Sequence, residues 1–418
     1  MVEGGSMAFL DAGACECGGA SQNEFATLGA QCSRNTTTKR TGNASYAGNL
    51  NIASANATFH TWGEAQRSSV TAGKAWVVAS VYLPNYPVGE TAIGPFYNDL
   101  ASGGQPAMIG ITTAGYIQIR SALNNTLATG SVAVGTGAWK TLLCEYDNGA
   151  DTVKVWVWNT GTSAWDSLIS YSHGADITQN NTIRMIWGFQ NLKSSAGLSL
   201  TVYTDDVFFN DDTGTTCNTK PAGPADIYAG FPNASATVQY DGWTIRAGGT
   251  DKYLEIDDTA TGDADGDTTY LKSGTGTAQV KQTVDMTDGL VSGTKAIQAV
   301  CAAGVSRVNS GANGVANLLV YADGTDKTGA EFATTDVAYY LGGAVQMTTT
   351  PAGNAWTAAL VNSMEIGAVR AAAATNPRDF WLTDIHCIVA ECDMEAAEPP
   401  PAAPSIVGWK TLLGVGQG

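Results

Sequence analysis

The chain has 418 residues, enough for two or three domains with separate cores, and carries a formal net charge of −17 with only 14% charged residues. Such acidity excludes nucleic acid and anionic membrane surfaces as direct partners, and no run approaches the ~20 apolar residues that cross a bilayer. Glycine, alanine, serine, threonine, asparagine and aspartate dominate over lysine, leucine and glutamate, the usage of short strands joined by many turns.

Residues 1–35 read as an N-terminal arm, rich in glycine and small residues. Its start, Met1–Met7, lacks the basic region and apolar stretch of a secretory signal, so synthesis in a cytoplasm without a signal peptide is expected. Cys15, Cys17 and Cys32 lie in this arm. A cross-link between subunits is one reading and reduced thiols the other.

A first globular unit is predicted over 36–212. Its strands include Ala75–Leu83, Ala107–Thr112, Tyr116–Arg120, Trp139–Tyr146 and Thr152–Trp158. The last two flank Asp147-Asn148-Gly149-Ala150-Asp151, a hairpin signal. In Thr152–Trp158 the alternation sends Val153, Val155 and Val157 one way, and Lys154, Trp156 and Trp158 the other. Strands over Ile183–Phe189, Leu198–Tyr203 and Thr204–Phe209 complete the unit, and their number and spacing predict a β-sandwich.

Residues 213–242, with Pro221, Pro224 and Pro232, read as a linker. A second β-sandwich-like unit is predicted over 243–392. It holds one helical candidate, Trp356–Met364, where Trp356, Leu360 and Met364 share a face. Its last strand is Phe380–Val389. Residues 393–418 form a tail in which Pro399–Pro404 stiffens the chain toward polyproline II. Beyond it stand five large apolar residues, Ile406, Val407, Trp409, Leu412 and Leu413. Left in water they would form a sticky patch, so the tail is expected to dock on another copy of the chain or a companion protein; folding back onto its own domain is the alternative.

The first unit resembles the laminin-G/concanavalin-like jelly rolls of tailed-bacteriophage structural proteins. The matching residues are Arg40-Thr41-Gly42-Asn43-Ala44-Ser45, Gly137-Ala138-Trp139, Val153–Trp158 and Tyr203-Thr204-Asp205-Asp206-Val207. The second unit resembles a module of phage virion proteins through Asp267–Leu271, Ala296–Val305, Pro351–Thr357 and Met364–Gly367. What the resemblance implies is a non-enzymatic virion component: capsid decoration, head fibre or tail appendage. Its partners would be copies of itself and other virion proteins, and its location the virion. The resulting expectation is an all-β fold of two β-sandwich (jelly-roll) domains with extended N- and C-terminal arms.

Three constellations carry other chemistry. Asp263, Asp265 and Asp267, with Asp257 and Asp258 upstream, form a candidate Ca²⁺ loop, although an Asp/Gly turn explains the same residues and the EF-hand pattern fails. Asp205 and Asp206 are a second candidate for Ca²⁺. Glu391, Asp393 and Glu395 alternate, as the acid and nucleophile of a retaining glycosidase would on a concanavalin-like fold. A solvated strand edge is the competing account.

His386 sits in an apolar strand and reads as a packed residue. Trp62, Trp156, Trp158, Trp165 and Trp187 could stack on sugars or fill cores and interfaces. The six Asn-X-Ser/Thr sequons, at Asn35, Asn43, Asn56, Asn124, Asn180 and Asn233, read as by-products of composition. The function expected first is therefore virion scaffolding without enzymatic activity. The alternatives are a glycan-binding adhesion module directed at a host-surface glycan, and a concanavalin-fold glycosidase.

Overall fold

The structure, a computed structural model, describes residues 9–13, 32–42, 44–49, 56–61, 73–87, 91–99, 107–122, 125–147, 149–174, 183–191, 201–213, 216–233, 238–246, 251–256, 268–332 and 340–396. The tail residues Ile406, Val407, Trp409, Leu412 and Leu413 lie outside them, as do Asp263, Asp265, Asp267, Cys15, Cys17 and Trp62. The expectations of tail docking and a Ca²⁺ loop thus concern residues beyond the described set, as does the cross-link for Cys15 and Cys17, whereas Cys32 opens the second strand.

The all-β expectation holds. In chain order the first strands are β1 (Phe9–Gly13), β2 (Cys32–Asn35), β3 (Ser45–Asn49), β4 (Asn56–Thr61), β5 (Lys74–Tyr82), β6 (Thr91–Asp99) and β7 (Ala107–Ile111). They continue as β8 (Tyr116–Ala122), β9 (Asn125–Ala133), β10 (Trp139–Asp147), β11 (Thr152–Asn159), β12 (Ala164–Ser172), β13 (Ile183–Asn191) and β14 (Thr201–Asp211). Sheet one runs β12-β11-β10-β5-β14-β3-β2, with β1 also on β14, and sheet two runs β4-β13-β6-β7-β8-β9. Between them Val77, Val81, Leu142, Val155 and Phe209 meet Ile109, Ile117, Ile119 and Trp187. The predicted alternation in β11 is observed: Val153 and Val155 enter this core, while Trp156 packs on the opposite side.

The remaining strands are β15 (Asp226–Gly230), β16 (Thr244–Ile245), β17 (Leu271–Lys272), β18 (Val280–Asp285), β19 (Ile297–Ser310), β20 (Ala316–Ala322), β21 (Thr325–Glu331), β22 (Tyr340–Met347), β23 (Glu365–Arg370) and β24 (Asp379–Glu391). Sheet three is β16-β17-β24-β19-β22, with β15 also on β24, and sheet four is β18-β23-β20-β21. A second core, with Trp243, Phe332, Phe380 and Met364, fills the space between them. The segment read as a linker contains β15, because Ile227 and Ala229 bury there against β24. The prolines at 221, 224 and 232 flank that strand and leave its interior free to pair.

The helix α1 covers only Ala358–Asn362. Thr357 is extended and caps it, its hydroxyl accepting the Leu360 N–H at 3.2 Å. Trp356 and Met364 are buried as expected, but just outside the helix.

Sheets one and three are apolar on both faces. Trp76, Val78, Leu143 and Phe208 leave the outer face of sheet one and pack on Ile227, Ala229, Ala299, Cys301, Ile388 and Ala390 of sheet three. The two sandwiches therefore stack as four layers, sheets two, one, three and four. Cys144, Cys301 and Cys387 pack as small hydrophobes, and burial pushes the Cys387 thiol up to about 12.

On sheet four the Lys281 ammonium hydrogen-bonds Asp326 and holds its carboxyl below the usual range. A depressed folded-state acid contributes stability above its ordinary pKa and loses it as pH falls through the folded value. Both groups are partly exposed, so the expected contribution is under ~1 kcal/mol. Urea midpoints at pH 7 and pH 3 for the protein and Asp326→Asn should converge in acid.

Candidate functional site

The outer face of sheet one is only partly covered by the second sandwich. Along β5 the outward positions are Trp76, Val78, Ser80 and Tyr82, since Ala75, Val77, Ala79 and Val81 point into the first core. Tyr82 lies in register with Trp139 of β10 on one side and Tyr203 of β14 on the other. The three rings form one cross-strand row, Tyr82 being 5.7 Å from Trp139 and 5.9 Å from Tyr203, with tilted and edge-on geometry. All three are half-buried, so ring surface stays open to solvent on a rigid sheet.

The row is held from beneath and from the side. One step inward Ser80 and Thr141 share a hydrogen bond at 2.9 Å. The Trp187 indole donates from the core to the Thr204 hydroxyl at 2.8 Å, and that hydroxyl donates to the Ser80 carbonyl at 3.0 Å. The Trp139 indole N–H donates to the Lys39 carbonyl at 3.1 Å, which ties the ledge to the loop at 38–41.

That loop is locked by the two aspartates once read as a Ca²⁺ rim. Asp205 accepts the backbone N–H of Arg40 at 2.8 Å and of Thr41 at 3.3 Å. Asp206, fully buried and at φ +51°, accepts from the Arg40 guanidinium, the Thr41 hydroxyl and the Ile227 N–H. Arg40 also pairs with Asp226 at 3.0 Å and donates to the Ala225 carbonyl, while Lys295 pairs with Asp226 from the second sandwich. Burial raises the Asp206 carboxyl, and the Arg40 charge pulls it back down. Here a guanidinium occupies the place a cation would take, which corrects the Ca²⁺ reading of Asp205 and Asp206. Among the described residues no three His, Cys, Asp or Glu side chains gather as a metal site.

The glycosidase candidates have separate structural duties. Glu391 is fully buried at the end of β24 and accepts from the Ser292 N–H and hydroxyl and the Gly293 N–H, at 3.3, 2.7 and 3.0 Å. Asp393 accepts the Ala296 N–H at 3.1 Å, and Glu395 pairs with Lys220 at 2.7 Å. Trp156, Trp158 and Trp165 are half-buried and contact the 217–224 segment: Lys220 sits over Trp156, Trp165 donates to the Pro221 carbonyl and Gly223 lies against Trp158. His386 is buried with Nδ1 2.8 Å from Asp384. The row Tyr82–Trp139–Tyr203 escaped sequence reading because its members lie on strands far apart in the chain.

No family model matches the chain, and no curated protein matches it. Similar solved structures exist. A Trypanosoma rangeli sialidase bound to sialic acid is 10% identical, with 49% of this chain and 30% of the sialidase covered at a TM-score of 0.33. The catalytic domain of a GH131 β-glucanase from Podospora anserina is 13% identical, with 40% and 72% covered at 0.30. A Shewanella oneidensis protein of unknown function is 16% identical, with 45% and 81% covered at 0.31. The chain thus spans less than a third of the sialidase it matches.

Those with a stated activity are glycosidases. On that finding the expectation of a virion structural protein without enzymatic activity is corrected. At these identities and scores no residue, substrate or reaction passes from them to this chain.

Proposed function

We propose that this protein is glycan-directed and that the Tyr82–Trp139–Tyr203 row receives sugar rings. The observation that carries the reading is that row itself: three part-exposed aromatic rings in one register, on the outer face of sheet one beside the area that the second sandwich covers. A pyranose has an apolar C–H face and a polar rim. Tyrosine and tryptophan suit such a surface, because each offers an apolar body and a polar tip. A rigid sheet holds the rings in place before the ligand arrives, which lowers the entropic cost of ordering them.

The test is a glycan array followed by calorimetry on the best ligand, with reducing-end release followed in the same samples. Trp139→Ala and Tyr203→Ala are each expected to weaken binding by about tenfold or more, with unchanged folding by circular dichroism. Absence of any glycan ligand, or unaltered affinity in both variants, overturns the assignment. Release of reducing ends that follows the same variants would add bond cleavage to binding at this ledge.

A further inference from the structure

The aromatic surface of sheet one does not end at Trp139. On β10, Thr141 and Leu143 point outward with Trp139, since Leu142, Cys144 and Tyr146 enter the first core. Leu142 pairs with Val157 of β11, so one further antiparallel step sets Trp158 beside Thr141, two residues along from Trp139. Such diagonal neighbours lie ~7–8 Å apart, within the reach of large rings. Trp158 is on the outward side of β11, because Val153 and Val155 take the inward one. On its far side it stands in register with Trp165 of β12, the two rings edge-to-face with centroids 5.1 Å apart.

Trp158 and Trp165 are half-buried, as the three rings of the ledge are. They are also fixed in place. The Trp165 indole donates to the Pro221 carbonyl at 3.0 Å, and a Cβ on Gly223 would stand 3.5 Å from the Trp158 ring. Rings held in this way lose little freedom when a ligand arrives. From Tyr203 on β14 to Trp165 on β12 the sheet order takes four strand steps, a span of ~19 Å at ~4.8 Å each.

We propose, resting on the sugar-binding reading of the ledge, that the outer face of sheet one receives a neutral, linear glycan along its length. Tyr203, Tyr82 and Trp139 hold one stretch of the chain, and Trp158 with Trp165 holds the next. A chain seated on one cluster presents its following units to the other at high effective concentration, so affinity depends steeply on chain length. The surface favours an uncharged chain. Between the clusters lie Ser80 and Thr141, whose hydroxyls bond each other at 2.9 Å. The charged groups bordering the tryptophans are engaged, Asp166 with the Asn159 amide and Lys220 with Glu395. A polyanion would in addition meet a chain of net charge −17.

Calorimetry with malto-, cello-, xylo-, manno- and chito-oligosaccharides, each as disaccharide and hexasaccharide, tests the length dependence. Oligogalacturonates of the same lengths form the anionic arm. For the neutral series that binds best, the hexasaccharide should bind about tenfold or more tightly than the disaccharide. Trp158→Ala and Trp165→Ala should each reduce that ratio to about threefold or less. If no oligosaccharide binds, or Trp139→Ala leaves every affinity unaltered, the ledge reading fails and this one with it. If binding persists and responds to Trp139→Ala, yet both lengths bind equally or both tryptophan variants keep the ratio, the extended site alone is overturned. Tighter binding of the galacturonate series overturns it as well. Should the variants not fold, the indole N–H resonances of the unaltered protein decide. Hexasaccharide that shifts Trp139, Trp158 and Trp165 with one saturation curve supports the site, and shifts confined to Trp139 remove it.

Discussion

Replacing Arg40 by methionine is expected to destabilise the protein by about 3–5 kcal/mol, the cost of leaving a buried charge without its partner. Asp206 is fully buried, and Asp226 would keep only Lys295. Asp206→Asn should cost less, since asparagine tolerates the left-handed backbone at φ +51° and can still accept the Ile227 N–H. The double variant Arg40→Met/Asp206→Asn should then be more stable than the sum of the single losses predicts. Chemical denaturation of all four proteins measures this coupling, and strict additivity would show that the pair contributes nothing as a pair.

The pH dependence sharpens the test. Burial already raises the Asp206 carboxyl, and without Arg40 nothing of comparable strength pulls it down. An acid with a raised folded-state pKa is destabilising while ionised and ceases to be so once protonated. The gap between Arg40→Met and the parent should therefore narrow as pH falls from 7 through that raised pKa. A gap that stays constant or widens in acid would contradict the assignment. Because the Lys39 carbonyl holds the Trp139 indole, Arg40→Met should also weaken glycan binding at the ledge.

Sequence periodicity revealed single strands far better than their partners. β11 alternates so cleanly that its inward valines and outward tryptophans could be assigned from the chain alone. β5 was legible as a strand, yet Ala75–Tyr82 is apolar at nearly every position, and that continuous run signals two covered faces. The second covering layer, with Ile388 and Ala390, comes from about 300 residues later in the chain. Periodicity cannot supply that distance.

The candidate site had the same difficulty. The motifs Arg40-Thr41 and Asp205-Asp206 were both noticed in the chain, but their union spans 165 residues and converts a cation rim into an ion pair. The conspicuous tryptophans in β11 and β12 drew the eye, and the 217–224 segment, far from them in the chain, packs against them.

Gly367→Ala should cost more than about 3 kcal/mol and unfold the second sandwich, because overpacking here cannot be relieved by a side-chain rotation. Gly367 pairs with Thr283 of β18 and Leu319 of β20 in the middle of sheet four. A Cβ at this position would lie 1.8 Å from the Gln282 carbonyl oxygen and 2.7 Å from its carbon and from the Thr283 Cα, all of them backbone atoms. The strand must therefore shift bodily. That shift would break the register which carries Gln282 to the Trp243 N–H and Thr283 to Glu365, and with it the closure over Trp243 and Met364. Gly149→Ala is the control, because its nearest neighbour is the Asp147 carboxylate oxygen at an ordinary 3.5 Å in an exposed turn. Thermal unfolding should show Gly149→Ala within about 0.5 kcal/mol of the parent, while Gly367→Ala loses the unfolding step of the second sandwich. A Gly367→Ala protein that melts like the parent would mean that β18 and β23 do not approach as closely as the fold requires.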